Sequence, residues 1–288
     1  MGSAEQVREL RDQTGAGVLD CRKALETAGG DLAKAKDILR KQGHEQAAKR
    51  AERVARQGLI SMQLEADGSS GVLVELLCET DFVARTESFR NFLKDCVRIT
   101  AKNKLAAVEA LLLYKDGGQT IHDRLTALIA QIGENIVLAA AGRLAASRAD
   151  EKVGGYIHMG DQVGSLVVVK ATSGKKGDIS DAVLKDILLH ITAMQPQYVS
   201  RDAVPQEKLA KLKEGFTKEA AATGKPPAIL EKIVQGKLDK WLAEVCLVDQ
   251  PFVRDPSGKT SVATFLKESG KGGLEILKFL RLQVGGQG

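Results

Sequence analysis

The chain has 288 residues, 43% of them hydrophobic and 27% charged, which describes an ordinary folded protein and excludes a disordered one. Aromatic residues make up only 4%, so the core must be built mainly from Ala, Leu, Val and Ile. The 42 basic residues against 37 acidic ones leave a formal charge of +5, a mild excess that permits an acidic partner or RNA and demands neither.

Residues 4–43 read as three short helices. The first carries Val7 and Leu10 and stops at Thr14-Gly15-Ala16-Gly17. The second spans roughly Val18 to Ala28 and ends at Gly29-Gly30. Asp31 is a good N-cap for the third, which bears Leu32, Ala35, Ile38 and Leu39. His44 to Gln57 reads as a basic linker helix (Lys49, Arg50, Arg53, Arg56). From Leu59 the period changes to two, and residues 59–64 and 72–77 flank the turn Asp67 to Gly71, predicting a hairpin. A helix is expected from Asp81 to Lys102, then helices over 105–115 and 121–133 and a strand over 135–145.

The pattern then recurs. A second hairpin over 155–169, turning at Met159 to Gly164, precedes a helix over 178–194, roughly ninety residues after its counterpart, suggesting two similar halves of one core. Residues 205–244 carry two apolar helical faces separated by Thr223-Gly224-Lys225-Pro226-Pro227, which predicts an antiparallel helical hairpin. The tail reads as strand-like at Val245 to Val248, returns through Gln250-Pro251-Phe252-Val253, and ends in glycines read as flexible. The division is therefore 1–57 head plus linker, 58–150 first core half, 151–204 with 245–288 second core half, and 205–244 arm.

Catalytic chemistry is hard to find. The four histidines (His44, His122, His158, His190) fall in no H-x-x-x-H or H-x-E spacing, and there is no G-x-S-x-G. Ser257-Gly258-Lys259-Thr260 ends like a phosphate loop, but Val253 stands where its first glycine belongs and Pro256 stiffens it. The cysteines (Cys21, Cys78, Cys96, Cys246) are widely spaced and read as small buried apolar residues in a reducing compartment. No apolar stretch is long enough to cross a bilayer, and charged residues interrupt the N-terminus, so the cytoplasm is the expected address. A binding protein without catalytic groups, metal or cofactor is expected rather than an enzyme.

Two longer stretches are more specific. Residues Leu10 to Leu25, LRDQTGAGVLDCRKAL, resemble the N-terminal signature of bacterial elongation factor Ts, and Glu75 to Arg85, containing Thr80-Asp81-Phe82-Val83-Ala84, resembles its second. Shorter matches keep the family's order: Ile132 to Ile136, Gly155 to His158, Gly224-Lys225-Pro226, and Gln250 to Val253. The resemblance implies an α+β fold with a ubiquitin-associated-like three-helix head, a two-part core and a coiled-coil arm. It implies guanine nucleotide exchange on elongation factor Tu in translation elongation.

In the family an Asp-Phe pair inserts near the Mg²⁺ site of the GTPase, which maps onto Asp81 and Phe82, flanked by Thr80 and Val83. Read without the resemblance, Thr80 or Asp81 caps a helix and Phe82 packs inward. Arg11, Val18 and Leu19 fall on the family's head surface, although Val18 and Leu19 also read as core. His158 matches a partner-contacting histidine and also reads as a turn cap; Val253 and Arg254 fall at a further contact. The sequence departs from the family at Leu77 (usually Asn), Glu79 (often Gln) and the Val18-Leu19 pair (often Met), and it stops soon after Val284, where better-known members continue into a helix. An arm with one apolar face is able to pair with a second copy, as a homodimer, or to pack on its own core. Direct RNA binding is not expected; its test is a steep salt dependence.

Overall fold

The computed structural model describes residues 3–158, 160–221 and 226–286. Met159 in the second hairpin's turn, residues 222–225 in the break between the arm's helices (with Gly224-Lys225 of the family match), and the last two glycine-tail residues lie outside them. The chain opens with α1 (Ala4–Thr14), α2 (Val18–Thr27) and α3 (Leu32–Arg50). Ser3 starts α1 with a capping box, its hydroxyl accepting from the Gln6 N–H while its own N–H donates to the Gln6 side chain. Gly15, at φ 69°, ends the helix in the left-handed conformation that glycine adopts without a Cβ clash. Leu10, Cys21, Ala24, Leu25 and Ala35 are the buried centre of these three helices.

Two three-stranded antiparallel sheets follow, each with a long helix on its outer face. The first orders β1 (Gln57–Leu64), β2 (Ser70–Cys78) and β5 (Ile136–Ala145) with β2 in the middle. The second orders β6 (Glu151–Ile157), β7 (Val163–Ala171) and β8 (Leu274–Gln283) with β7 in the middle. Both central strands carry a register irregularity on the side of the third strand, at Glu75/Leu76 and at Val168/Val169. Their burial runs identically along nine residues. The sheets pack face to face through Ile60, Leu73, Leu166 and Leu282. Glycines permit that approach: a Cβ on Gly142 would stand 2.4 Å from Leu280 Cδ2, and one on Gly155 2.4 Å from Met62 Sδ. Covered on both faces, β2 and β7 read as near-continuous apolar runs.

Outside the first sheet lies α5 (Glu87–Lys102), whose Phe89, Phe92, Leu93, Cys96 and Val97 meet Val72, Val74 and Leu76. Outside the second lies α8 (Asp181–Met194), whose Leu184, Ile187, Leu188 and Ile191 meet Val167 and Val169. Each fully buried Leu, Ile or Phe contributes about 1.5–3 kcal/mol by leaving water. Between β2 and α5 runs the short α4 (Asp81–Ala84). After α5 come α6 (Val108–Leu113), a minimal hairpin of β3 (Lys115–Asp116) and β4 (Gln119–Thr120), and α7 (Ile121–Ile132). Two helices, α9 (Gln206–Ala221) and α10 (Pro227–Val245), pack against each other in opposite directions, with Leu209 near the start of α9 beside Leu238 and Trp241 late in α10. The last helix is α11 (Val262–Glu268).

Several boundaries differ from expectation. No separate linker helix exists: α3 runs straight through Gly43 to Arg50, and Gln57 already begins β1. The helix expected over 81–102 is split at Thr86, whose hydroxyl donates to the Val83 carbonyl at 2.8 Å and accepts from the Phe89 N–H at 3.4 Å as the N-cap of α5. The helix over 105–115 shrinks to Val108–Leu113, and α8 starts at Asp181 behind a Ser180 cap. Residues Leu247–Asp249 form a 3-10 turn rather than a strand, and α10 extends through Val245. The tail holds a full strand, β8, closing the second sheet.

Candidate functional site: the corner between β2 and α4

At the end of β2 the chain turns sharply into α4, and the turn is pinned from outside. The Thr80 hydroxyl donates to Glu134 Oε1 at 2.7 Å and its N–H donates to Oε2 at 3.0 Å. The same hydroxyl caps α4, accepting from the Val83 N–H at 3.5 Å. One residue earlier, Glu79 accepts from the Asn135 N–H at 2.7 Å and lies 3.6 Å from Arg53. The Asn135 amide in turn donates to the Arg53 carbonyl at 2.7 Å. Three chain segments therefore meet at the corner. Beneath it the Cys78 thiol donates to the Thr80 carbonyl at 3.1 Å, and burial pushes its pKa up to about 12, keeping it protonated.

Val83 and Ala84 point into the core beside Phe89. Phe82, the largest side chain of the turn, points out and is 77% exposed. Asp81 is also exposed and pairs with Arg85 at 2.8 Å. The ring and the Asp81 carboxylate thus stand side by side on the outer side of a pinned turn. Thr80, rather than Asp81, is the cap, and the inward reading of Phe82 does not hold.

The other predicted residues lie on separate elements. Val18 and Leu19 occupy the first turn of α2, 52% and 70% exposed, so the core reading fails for both; Arg11 is exposed on α1. His158 is exposed in the β6–β7 turn, its Nδ1 3.2 Å from the Tyr156 hydroxyl and its N–H donating to the Val163 carbonyl. Val253 is 42% exposed, and Arg254 pairs with Asp186 of α8 at 2.9 Å. Leu77 is half-buried and pairs with Gly58 and Val137 in the ladder.

The Val253 segment is held by two buried residues that the sequence reading left without a role. The Val253 N–H donates to His190 Nδ1 at 3.1 Å, which places the ring proton on Nε2, where it donates to Gln250 Oε1 at 2.9 Å. The Gln250 amide donates to the Glu244 and Met194 carbonyls. Burial lowers the His190 pKa and keeps the ring neutral. The neighbouring Ser257 to Thr260 turn is closed to phosphate. Asp255 already accepts from the N–H groups of Ser257, Lys259 and Thr260 and from the Ser257 hydroxyl, and these bonds hold its carboxyl well below the usual range.

Residues 79–286, from the pinned corner to just past β8, match the family described as Elongation factor TS. The chain belongs to the elongation factor Ts family. It is 37% identical over 289 residues to the elongation factor Ts of Prosthecochloris aestuarii (strain DSM 271 / SK 413), with 98% of each chain covered. It is 38% identical over 286 residues to that of Nautilia profundicola (strain ATCC BAA-1463 / DSM 18972 / AmH), covering 98% of this chain and 92% of the relative. Among the described residues no helix is long and apolar enough to cross a membrane. Glu134 and Asn135 belong to an elongation factor Ts match already visible in the sequence, but their task of pinning Thr80 and Glu79 spans more than fifty residues and left no local signal.

Proposed function

We propose that the chain is a guanine nucleotide exchange factor acting on elongation factor Tu in the cytoplasm, with Phe82 as the inserting group. The observation that carries this reading is an exposed Phe82 on a turn that Thr80 and Glu134 hold rigid. A GTPase holds its nucleotide through a phosphate loop and Mg²⁺. A ring driven between its helices near that ion, with Asp81 beside it, favours the nucleotide-free state without any bond being made or broken. By linkage the nucleotide weakens the factor as much as the factor weakens the nucleotide, so exchange is accelerated in both directions. Arg11, Val18, Leu19, His158, Val253 and Arg254 supply further contacts in this reading. It also takes α1–α3 as a ubiquitin-associated-like head and α9–α10 as a coiled-coil arm.

The test is release of labelled GDP from purified elongation factor Tu, with and without the protein. Wild type accelerates release, and Phe82→Ala slows it about tenfold or more, the scale of losing one interface anchor. Because the ring is exposed, its removal changes stability by no more than about 0.5 kcal/mol. No acceleration by the wild type at micromolar protein sinks the reading. Normal exchange by Phe82→Ala sinks the insertion alone.

A further inference from the structure

We propose that His44, His122 and Asp123 form a zinc-class divalent metal site that staples α3 to α7. One ligand atom from each residue lies within 4.8 Å of the other two. His44 comes from the second half of α3, and His122 and Asp123 come from the first turn of α7, 79 residues from His44 to Asp123. His44 Nε2 is 3.2 Å from Asp123 Oδ1, and the two imidazoles stack with centroids 5.8 Å apart.

The donor set selects the metal class. Two imidazole nitrogens and one carboxylate oxygen suit Zn²⁺ with a water in the fourth position, whereas Mg²⁺ and Ca²⁺ prefer oxygen throughout. Ligands about 2.0–2.2 Å from a tetrahedral zinc stand roughly 3.3–3.5 Å apart, so closing this group takes about an ångström of side-chain rotation. His122 is exposed and free to supply it.

The carboxylate is already oriented. Asp123 Oδ2 accepts from the Thr120 hydroxyl at 2.8 Å and from the Thr120 N–H at 3.4 Å, leaving Oδ1 turned toward His44. Such outer partners fix a metal ligand's direction. The backbones are fixed too. At Gly43 α3 lies directly on α7, close enough that a Cβ there would stand in ordinary contact with Ala130 and Thr126 at 3.7 Å. A metal-free hydrogen bond across this joint uses His44 and Asp123 alone, and His122 is the residue that turns the pair into a cage. Since α3 also carries the packing of α1 and α2, the bound metal fixes the Val18–Leu19 surface relative to the two sheets.

Full-length protein freed of metal with EDTA is titrated with ZnCl₂ against a chromophoric chelator. One equivalent binds at micromolar or tighter affinity, and His122→Ala weakens binding more than about tenfold. No stoichiometric binding, or equal binding by His122→Ala, overturns the site. Should that variant fail to fold, the four histidine ring signals of the wild type decide the matter by NMR. Zinc must then move those of His44 and His122 and leave buried His190 in place, and a shift confined to other histidines overturns the proposal.

Discussion

Thr80 and Glu134, 54 residues apart in the chain, are joined by two hydrogen bonds to one carboxylate, 2.7 Å from the hydroxyl and 3.0 Å from the backbone N–H. The bond to the hydroxyl orients the same oxygen that caps α4, so the carboxylate sets the direction in which the Phe82 turn leaves the sheet.

Glu134→Ala leaves both Thr80 donors without their partner. Each half-buried donor so stranded costs about 1–3 kcal/mol, so the urea midpoint falls. GDP release from elongation factor Tu slows as well, since the turn loses its orientation. Glu134→Gln keeps one acceptor oxygen and falls between the two. The pairing of effects separates mount from anchor: Phe82→Ala slows release at unchanged midpoint, whereas Glu134→Ala lowers both. If Glu134→Ala leaves both readings at wild-type values, the carboxylate does not hold the turn.

The local half of this corner was legible in the sequence and the long-range half was not. A hairpin followed by Thr80-Asp81 announces a strand end and a capped helix, because both signals lie within a few residues. The direction of Phe82 depends on Val83 and Ala84 taking the core positions, and on Glu134, none of which periodicity can assign. The break at Thr86 was hidden because the apolar spacing continues across it. Strand β8 was missed for the opposite reason. Its alternation is local and readable, but the strand it pairs with, β7, lies more than a hundred residues earlier, and the flanking glycines suggested a loose end.

His190 ties the second half to pH. Its folded pKa lies below the ordinary histidine value because burial disfavours the charged ring. The unfolded chain therefore binds the proton first as pH falls. Stability from this group is complete above about pH 6.5, and it declines as pH drops from there through the lowered folded pKa. Denaturant melts at pH 8 and pH 5 compare wild type with His190→Gln, and the variant loses part of the acid-side decline. At neutral pH the variant is less stable by about 1–3 kcal/mol, because the Val253 N–H or the Gln250 oxygen is left unpaired. An equal decline in both proteins assigns the pH dependence elsewhere.

Glu75 has the opposite sign. It is buried in the middle of β2, where its carboxylate accepts one bond, from the Gly285 N–H at 3.2 Å. Burial raises its pKa and the single bond offsets this only in part. The native state therefore holds the proton more tightly than the unfolded chain, and stability falls as pH rises through the raised pKa. Glu75→Gln keeps an oxygen for Gly285 and carries no charge to bury. The variant should have the higher urea midpoint at pH 8 and match the wild type at pH 4. A lower midpoint at pH 8 would show that the ionised carboxylate has a stronger partner than Gly285.

Two glycines give a final contrast, in which the same substitution changes stability with opposite signs. A Cβ on Gly58 would stand 2.2 Å from the Leu76 carbonyl oxygen and 2.8 Å from Leu77 Cα, and backbone cannot rotate away as a side chain can. Gly58→Ala must push β1 off β2 directly beneath the Phe82 turn, at a cost of about 1–3 kcal/mol or more. Gly236 lies inside α10 with nothing within 4 Å of its missing Cβ. Gly236→Ala therefore stabilises by about 0.5–1 kcal/mol, through the helix propensity of alanine alone. Thermal melts of both variants check the signs, and GDP release separates their reach. Gly58→Ala slows exchange because β2, which loses its contact with β1 at Leu77, leads directly into the corner, while Gly236→Ala raises the melting temperature and leaves exchange at the wild-type rate.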